Sequence, residues 1–247
     1  MTRRLIHRLL LPSLALLLVA AMACVAVPSI REAMIREVRS RMGRHSVESR
    51  MAELKPRIAA VWRDRALKAG FAELPANILI VVLKDEKQLH VFGGEPGDER
   101  LLASYPVLAA SGTAGPKLRE GDRQVPEGFY AVESLNPNSR FHLALRVNYP
   151  STADRDAATA ERRTNLGGDI MIHGGAGSIG CVAIGDPAIE EVFTLAALVG
   201  ISNVEIIMTP SGEPVSHVTS DTPTWVAERY RAMDARLRTL RWEGRGK

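Results

Sequence analysis

A histidine and a cysteine eight positions apart, His173 and Cys181, are the residues of this chain whose types and spacing could do chemistry. The apolar run 170–172 predicts a strand that ends in His173, and a loop of small residues then returns the chain to Cys181. Positions 174–180 hold four glycines, so the backbone there can turn tightly and approach another molecule. An imidazole beside a thiol can accept its proton and leave a nucleophilic thiolate. The pattern therefore predicts Cys181 as a nucleophile and His173 as its base.

The same loop offers backbone hydrogen-bond donors. The N–H groups of Gly180 and Cys181 are predicted to stabilise the oxyanion of a tetrahedral intermediate, so acyl transfer is the chemistry that the loop favours. Taken singly, each residue also has a structural interpretation. A cysteine after a glycine-rich turn is often a small buried side chain, and a histidine at a strand end is often only a hydrogen-bonded polar residue.

Two other interpretations of the loop are excluded by its surroundings. Gly175-x-Gly177-x-x-Gly180 matches the dinucleotide-binding pattern, but that pattern needs glycines that open a helix, and the next helix starts only at Asp186-Pro187. A zinc site needs three or four protein ligands, and one histidine with one cysteine falls short of that number. Neither a cofactor nor a metal is expected.

The run Ile-His-Gly that ends at Gly174, followed by Ser178-x-Gly-Cys181, resembles the active-site signature of the L,D-transpeptidase (YkuD-like) catalytic domain. Members of that family act on bacterial peptidoglycan. The resemblance covers residues 75–210 and implies that Cys181 is acylated, that His173 is its base, and that the carbonyl of Gly174 orients the imidazole. Ser178 would belong to the loop that faces the substrate.

Three departures from the common pattern of that family bear on the reaction. Ile179 stands where a basic residue or histidine is usual, Ala183 stands where an arginine is usual, and the insertion after His173 is short. The compact spacing resembles a subgroup that includes an amidase that detaches the outer-membrane lipoprotein from peptidoglycan. Transfer and hydrolysis both stay open, and an envelope lipoprotein is an alternative partner to the stem peptides alone.

The resemblance implies attack by the thiolate on an amide carbonyl of the peptidoglycan stem peptide, at the L-centre of meso-diaminopimelate. D-Ala leaves, a thioester forms on Cys181, and an amine resolves it to give a crosslink or a protein attachment. Water as the acceptor would make the same residues a hydrolase. A third interpretation is a catalytically silent envelope-binding module in which the cysteine is structural.

The carboxylates of a stem peptide require arginine or lysine partners. Because Ala183 replaces the usual arginine, other basic residues would have to supply the charge. The candidates are Lys117, Arg119, Arg123, Arg140 and Arg146. Arg140 and Tyr149 are the side chains that we predict to contact the substrate.

The N-terminus has the pattern of a targeting segment. Three arginines within the first eight residues precede the run 9–27, which carries no charge, so we interpret residues 1–29 as a signal peptide or membrane anchor. An Ala-x-Ala pattern at 21–23 would allow cleavage before Cys24; acylation of Cys24 and an uncleaved inner-membrane anchor are the alternatives. Each of these delivers the rest of the chain to the periplasm.

That compartment bears on the role of Cys181. The chain has two cysteines, and if Cys24 is removed, lipidated or inside the bilayer, Cys181 has no partner for an intramolecular disulfide. A lone thiol in an oxidising compartment favours a catalytic role over a structural one.

Composition and periodicity divide the rest of the chain into three segments. Residues 30–72 are predicted to be a helical juxtamembrane segment in which Pro56 should kink or divide the helix. Residues 73–212 are the expected catalytic domain, mostly β, with a sandwich or twisted barrel and packed helices. Residues 213–247 are expected to form a C-terminal amphipathic helix. The net charge of +4 would suit nucleic acid, but export makes that partner a poor fit.

Within the catalytic domain, strand patterns predict a hairpin of residues 78–83 and 88–92 and a third strand over 101–110. A polar loop, 111–125, and a long loop, 148–163, are expected to shape a substrate cleft. Asp186 is predicted to cap a helix that reaches Leu198, and a last strand follows over 203–208.

Overall fold

The computed structural model describes residues 45–240. The predicted targeting segment 1–29, the first part of segment 30–72 and the end of the C-terminal segment lie outside the described residues. None of the helices within 45–240 combines the length and the apolarity that a bilayer span requires.

Nine strands of the described chain form one mixed sheet, in the order β3-β2-β1-β9-β5-β6-β7-β8-β4. The strands are β1 (Ile78–Leu83), β2 (Gln88–Gly93), β3 (Arg100–Pro106), β4 (Ala109–Ala110), β5 (Gly128–Ser139), β6 (His142–Val147), β7 (Met171–His173), β8 (Val182–Ala183) and β9 (Val204–Thr209). Four helices accompany them: α1 (Val47–Lys68), α2 (Thr152–Ala160), α3 (Asp186–Val199) and α4 (Thr224–Arg238). The pairs β1–β9 and β7–β8 are parallel, and the other pairs are antiparallel.

The prediction of a mostly β domain with packed helices is confirmed. The sequence predicts a sandwich or a twisted barrel, and the structure has a single half-barrel sheet in which the 12-residue strand β5 serves both halves. The first part of β5 pairs with β9, and its second part pairs with β6, where two register shifts interrupt the pairing.

The predicted third strand, 101–110, is in fact two strands. β3 pairs with β2, and after Pro106 the chain turns so that β4 pairs with β8 at the opposite end of the strand order. The amide of Val107 still donates to the carbonyl of Lys87 on the hairpin side, whereas the amide of Leu108 donates to the carbonyl of Ala183. One segment of chain therefore supplies both edges of the sheet.

The apolar run of β1 is continuous because both of its faces are buried. Ile78, Ile80 and Val82 belong to the core that includes Trp62 of α1 and Phe193 of α3. The alternate residues of β1 face a second core, which is built with α4 from Val226, Tyr230, Met233 and Leu237. The predicted C-terminal amphipathic helix is thus present as α4 and packs on the sheet.

The structure differs from two predicted helix details. Pro56 does not divide α1, which runs as one helix of 22 residues; that Pro56 kinks it stays a prediction. Because proline has no N–H, the carbonyl of Ala52 lacks its usual helical partner. Ala52 and Pro56 are both exposed, so water can bind that carbonyl. Asp186 does not cap α3: it is the first helical residue, and the N-cap is Gly185.

The predicted long loop, 148–163, contains helix α2. Ser151 and Asp154 form a capping box, in which each side chain bonds the backbone N–H of the other residue. The helix buries only Asp154, Ala157 and Ala158, so it lacks the apolar stripe that would have predicted it.

Candidate active site

Strand pairing brings His173 and Cys181 to neighbouring segments of the sheet. His173 ends β7 and is paired with Ala183 of the parallel strand β8. Cys181 directly precedes β8, so the chain at Cys181 enters the sheet beside the strand that carries His173.

The ring of His173 is held in one orientation. Its Nδ1 lies 2.6 Å from the carbonyl oxygen of Gly174. Because a carbonyl can only accept, Nδ1 must carry the proton, and Nε2 keeps the lone pair that a base needs. The ring of Phe141 stacks on the imidazole with centroids 4.5 Å apart and planes at 26°. The hydrogen bond to the Gly174 carbonyl is the orienting contact that the resemblance implies.

The thiol of Cys181 is half-buried and free, and it donates to the carbonyl of Asp169 at 3.6 Å. Burial raises its pKa, while the N–H of Met171 and the charge of Lys117 act in the opposite direction. Burial also lowers the pKa of His173, against the effect of its bond to Gly174. Both shifts favour a neutral thiol beside a neutral imidazole.

The loop after His173 is held by the start of α3. The carboxylate of Asp186 accepts from the N–H of Gly175 at 2.9 Å. A Cβ on Gly174 would lie 2.5 Å from both this carboxylate and the carbonyl of Phe141, so only glycine fits there. Asp186 therefore fixes the loop instead of capping its own helix.

Two serines fix the cysteine end of the loop. The N–H of Gly180 donates to Ser111 Oγ at 2.6 Å, and the hydroxyl of Ser178 donates to the carbonyl of Cys181 at 2.5 Å. The Gly180 donor that we predict for the oxyanion hole is thus engaged by Ser111 in this structure. Sequence reasoning missed Ser111, because a serine at the start of a polar loop gives no signal of a partner 69 residues away.

The two side chains predicted to contact substrate occupy different environments. Arg140 is exposed at the turn between β5 and β6, next to Phe141. Tyr149 is 6% exposed, and its hydroxyl points to the carbonyls of Lys117 and Leu166 at 3.4 and 3.3 Å. Tyr149 thus contacts the loops that contain Lys117 and Leu166. Its contact with substrate stays a prediction.

Other basic candidates are already paired. Lys117 is buried and binds Asp122 at 2.6 Å, and Arg146 binds Glu133 and Asp169. Arg119 and Arg123 are exposed. Within residues 45–240, no three His, Cys, Asp or Glu side chains are grouped so that they could hold a metal ion.

Residues 77–215, more than half of the chain, match the sequence profile of the L,D-transpeptidase catalytic domain, YkuD. The chain belongs to this family. The catalytic loop, both serines that fix it and Asp186 all lie within the matched L,D-transpeptidase domain, whereas α1 and α4 lie outside it.

Similar proteins come from several bacteria. YafK of Escherichia coli K12 and of O157:H7, a candidate L,D-transpeptidase, is 35% identical over 138 residues, which cover 54% of this chain and 54% of YafK. The chain spans about half the length of these relatives.

Among solved structures, the helical cell shape determining protein Pgp2 of Campylobacter jejuni is 26% identical, with 55% of this chain and 48% of Pgp2 covered at a TM-score of 0.45. Bd1075 of Bdellovibrio bacteriovorus is 21% identical, with coverages of 64% and 55% and a TM-score of 0.41. Both likenesses are distant.

Proposed function

We propose that this chain is a cysteine acyl-transfer enzyme that acts on peptidoglycan stem peptides through a thioester on Cys181. The observation that carries the proposal is the bond from His173 Nδ1 to the Gly174 carbonyl, because it leaves Nε2 free to act as a base. Cys181 directly precedes β8, the strand that pairs with the strand of His173. Membership of the L,D-transpeptidase family supports the substrate class.

The proposed reaction uses few protein groups. His173 Nε2 takes the thiol proton as Sγ of Cys181 attacks the amide carbonyl at the L-centre of meso-diaminopimelate. The backbone N–H of Cys181 stabilises the oxyanion, together with that of Gly180 once the substrate displaces the Ser111 hydroxyl. The amide C–N bond then breaks, the imidazolium returns its proton to the amine of D-Ala, and the thioester remains on the enzyme.

An amine or a water molecule then resolves the thioester, and product masses separate these outcomes. Full-length protein is incubated with muropeptides that carry tetrapeptide stems. We expect loss of D-Ala together with dimer formation, as a transferase requires. Shortened stems without dimers, or free lipoprotein peptides from lipoprotein-bearing peptidoglycan, would instead assign hydrolysis to the same residues.

Trapping of the thiol separates an enzyme from a silent envelope-binding module. A carbapenem or iodoacetamide should form an adduct on Cys181 at pH 7, and the adduct should form about 100-fold more slowly in His173→Ala, within the usual range for loss of a general base. Adducts are measured by intact-protein mass spectrometry. Equal, slow labelling of both proteins would show that the pair is not activated.

The proposal includes a periplasmic location, either exported or anchored to the inner membrane. It rests on the uncharged run 9–27 after three arginines. Protease added to intact spheroplasts should digest the catalytic domain, and N-terminal sequencing of the purified protein would show whether cleavage occurs before Cys24. Full protection from protease would place the domain in the cytoplasm and contradict the proposal.

A further inference from the structure

A groove of about 800 Å³ lies between the polar loop 111–125 and the segment 162–165 that follows helix α2. Its lining carries three arginines and one aspartate. The side chains that the argument uses are Thr113, Arg119, Gln124, Arg162, Arg163 and Asn165. We call this feature the arginine groove.

One end of the arginine groove lies near Gly180, the residue before Cys181. Its lining residue Gly112 follows Ser111, whose hydroxyl accepts from the N–H of Gly180. The carbonyl of Gln124, another lining residue, lies 3.6 Å from the position that a Cβ on Gly180 would take. A peptide bound with its scissile amide at Cys181 could therefore extend into this groove.

The two walls of the arginine groove are joined by hydrogen bonds. Glu120 N–H donates to the carbonyl of Asn165 at 3.0 Å, and the guanidinium of Arg163 donates to the carbonyl of Leu118 at 2.9 Å. Arg163 is also paired with Glu161 at 2.7 Å. These contacts fix the width of the groove before any ligand enters, which lowers the entropy cost of binding.

The charge available in the groove is positive. Asp122, its acidic lining residue, is paired with Lys117 and accepts from the backbone N–H groups of Leu118 and Arg119. The guanidinium groups of Arg119 and Arg162 have no ion pair among residues 45–240. Two unpaired arginines beside a fixed wall are suited to bidentate binding of carboxylates.

We propose that the arginine groove is the subsite that binds the carboxylates of the stem peptide, through Arg119 and Arg162. This inference rests on the proposed function. It accounts for the substitution of the usual arginine by Ala183, because the charge is supplied from a neighbouring groove instead. Arg162 was not among the candidates that the sequence suggested; it follows the end of α2, a helix without an apolar stripe.

Binding can be measured without turnover. Full-length Cys181→Ala is titrated with the tetrapeptide L-Ala-γ-D-Glu-meso-diaminopimelyl-D-Ala by isothermal titration calorimetry. Adding Arg119→Ala and Arg162→Ala should weaken binding about tenfold, as expected for the loss of two partly exposed ion pairs. Adding Arg231→Ala, an exposed arginine on α4, is the matched control and should leave Kd unchanged.

The ligand provides the second arm of the test. A tetrapeptide amidated at its carboxylates should bind Cys181→Ala about tenfold more weakly, and the two groove substitutions should then have no further effect. Equal binding of the free acid with and without the two arginines would overturn the inference, and so would the absence of binding by Cys181→Ala. Failure of the proposed function is separate, because it would appear as wild-type protein that forms no adduct or thioester at Cys181.

Discussion

The imidazole of His173 is positioned by groups that do not titrate. The Gly174 carbonyl holds Nδ1 and the Phe141 ring covers one face. A carbonyl fixes the tautomer as a carboxylate would, but it stabilises an imidazolium less, because it carries no full charge. Burial then favours the neutral base. The surroundings of His173 therefore favour a neutral imidazole over a stable imidazolium–thiolate pair.

The pH dependence of the proposed reaction tests the protonation of His173. Because burial lowers the pKa of His173, more of the base is deprotonated at pH 6.5 than in an ordinary histidine. We expect kcat/KM for the tetrapeptide to fall at low pH with an apparent pKa under the ordinary value of about 6.5. An acid limb centred above pH 7 would indicate a stabilised imidazolium and contradict the structure.

At the scale of elements, helix α4 and a buried ion pair hold the polar loop 111–125. Lys84 Nζ binds Glu127 at 2.8 Å, and it also donates to the carbonyls of Thr113 and Val125 in that loop. The hydroxyl of Tyr230 on α4 donates to the same Glu127. The C-terminal helix, although outside the matched family domain, thus supports one wall of the arginine groove.

Removal of one charge from this pair should be costly. The side chains of Lys84 and Glu127 are 4% and 0% exposed, so Glu127→Gln leaves a buried lysine without its counter-ion. We expect a loss of about 3 kcal/mol in the free energy of unfolding, measured by urea denaturation at pH 7. Glu120→Gln, at an exposed position of the same loop, should change it by less than about 0.5 kcal/mol. Similar effects of both substitutions would mean that the pair does not hold the loop.

At the scale of the whole molecule, stability should depend on one buried histidine in the hairpin. His90 is 6% exposed, and burial lowers its pKa to about 4. Its Nδ1 lies 2.7 Å from the hydroxyl of Ser104 on the paired strand β3. In the unfolded chain the pKa of His90 is near 6.5. Between pH 4 and pH 6.5 the unfolded state therefore binds more protons at His90 than the folded state does.

The contribution of His90 to stability is therefore fully present above pH 6.5 and is lost as the pH falls towards 4. We expect the urea midpoint to fall between pH 7 and pH 4.5, and to fall less in His90→Gln, which cannot titrate. The comparison is made on the full-length protein at constant ionic strength. The same decrease in both proteins would assign the pH dependence to other groups.

How much of this molecule the sequence predicts depends on the range of each contact. Local patterns predict the bounds of three features within one or two residues: the hairpin β1–β2, the strand that ends at His173, and helix α3. Ser111, Phe141 and Asp186 were missed as parts of the site because their contacts join distant or separately folded segments. Helix α2 could have been found, since Ser151 and Asp154 have the spacing of a capping box.

The segment 100–110, which forms both β3 and β4, links the far end of the sheet to the nucleophile. β8 has two residues, starts directly after Cys181 and is flanked by β7 and β4. A deletion between β3 and β4 would therefore displace β8 and change the burial of the Cys181 sulfur. The deleted residues would lie more than 70 positions before Cys181 in the chain. Length changes in this segment should therefore be poorly tolerated.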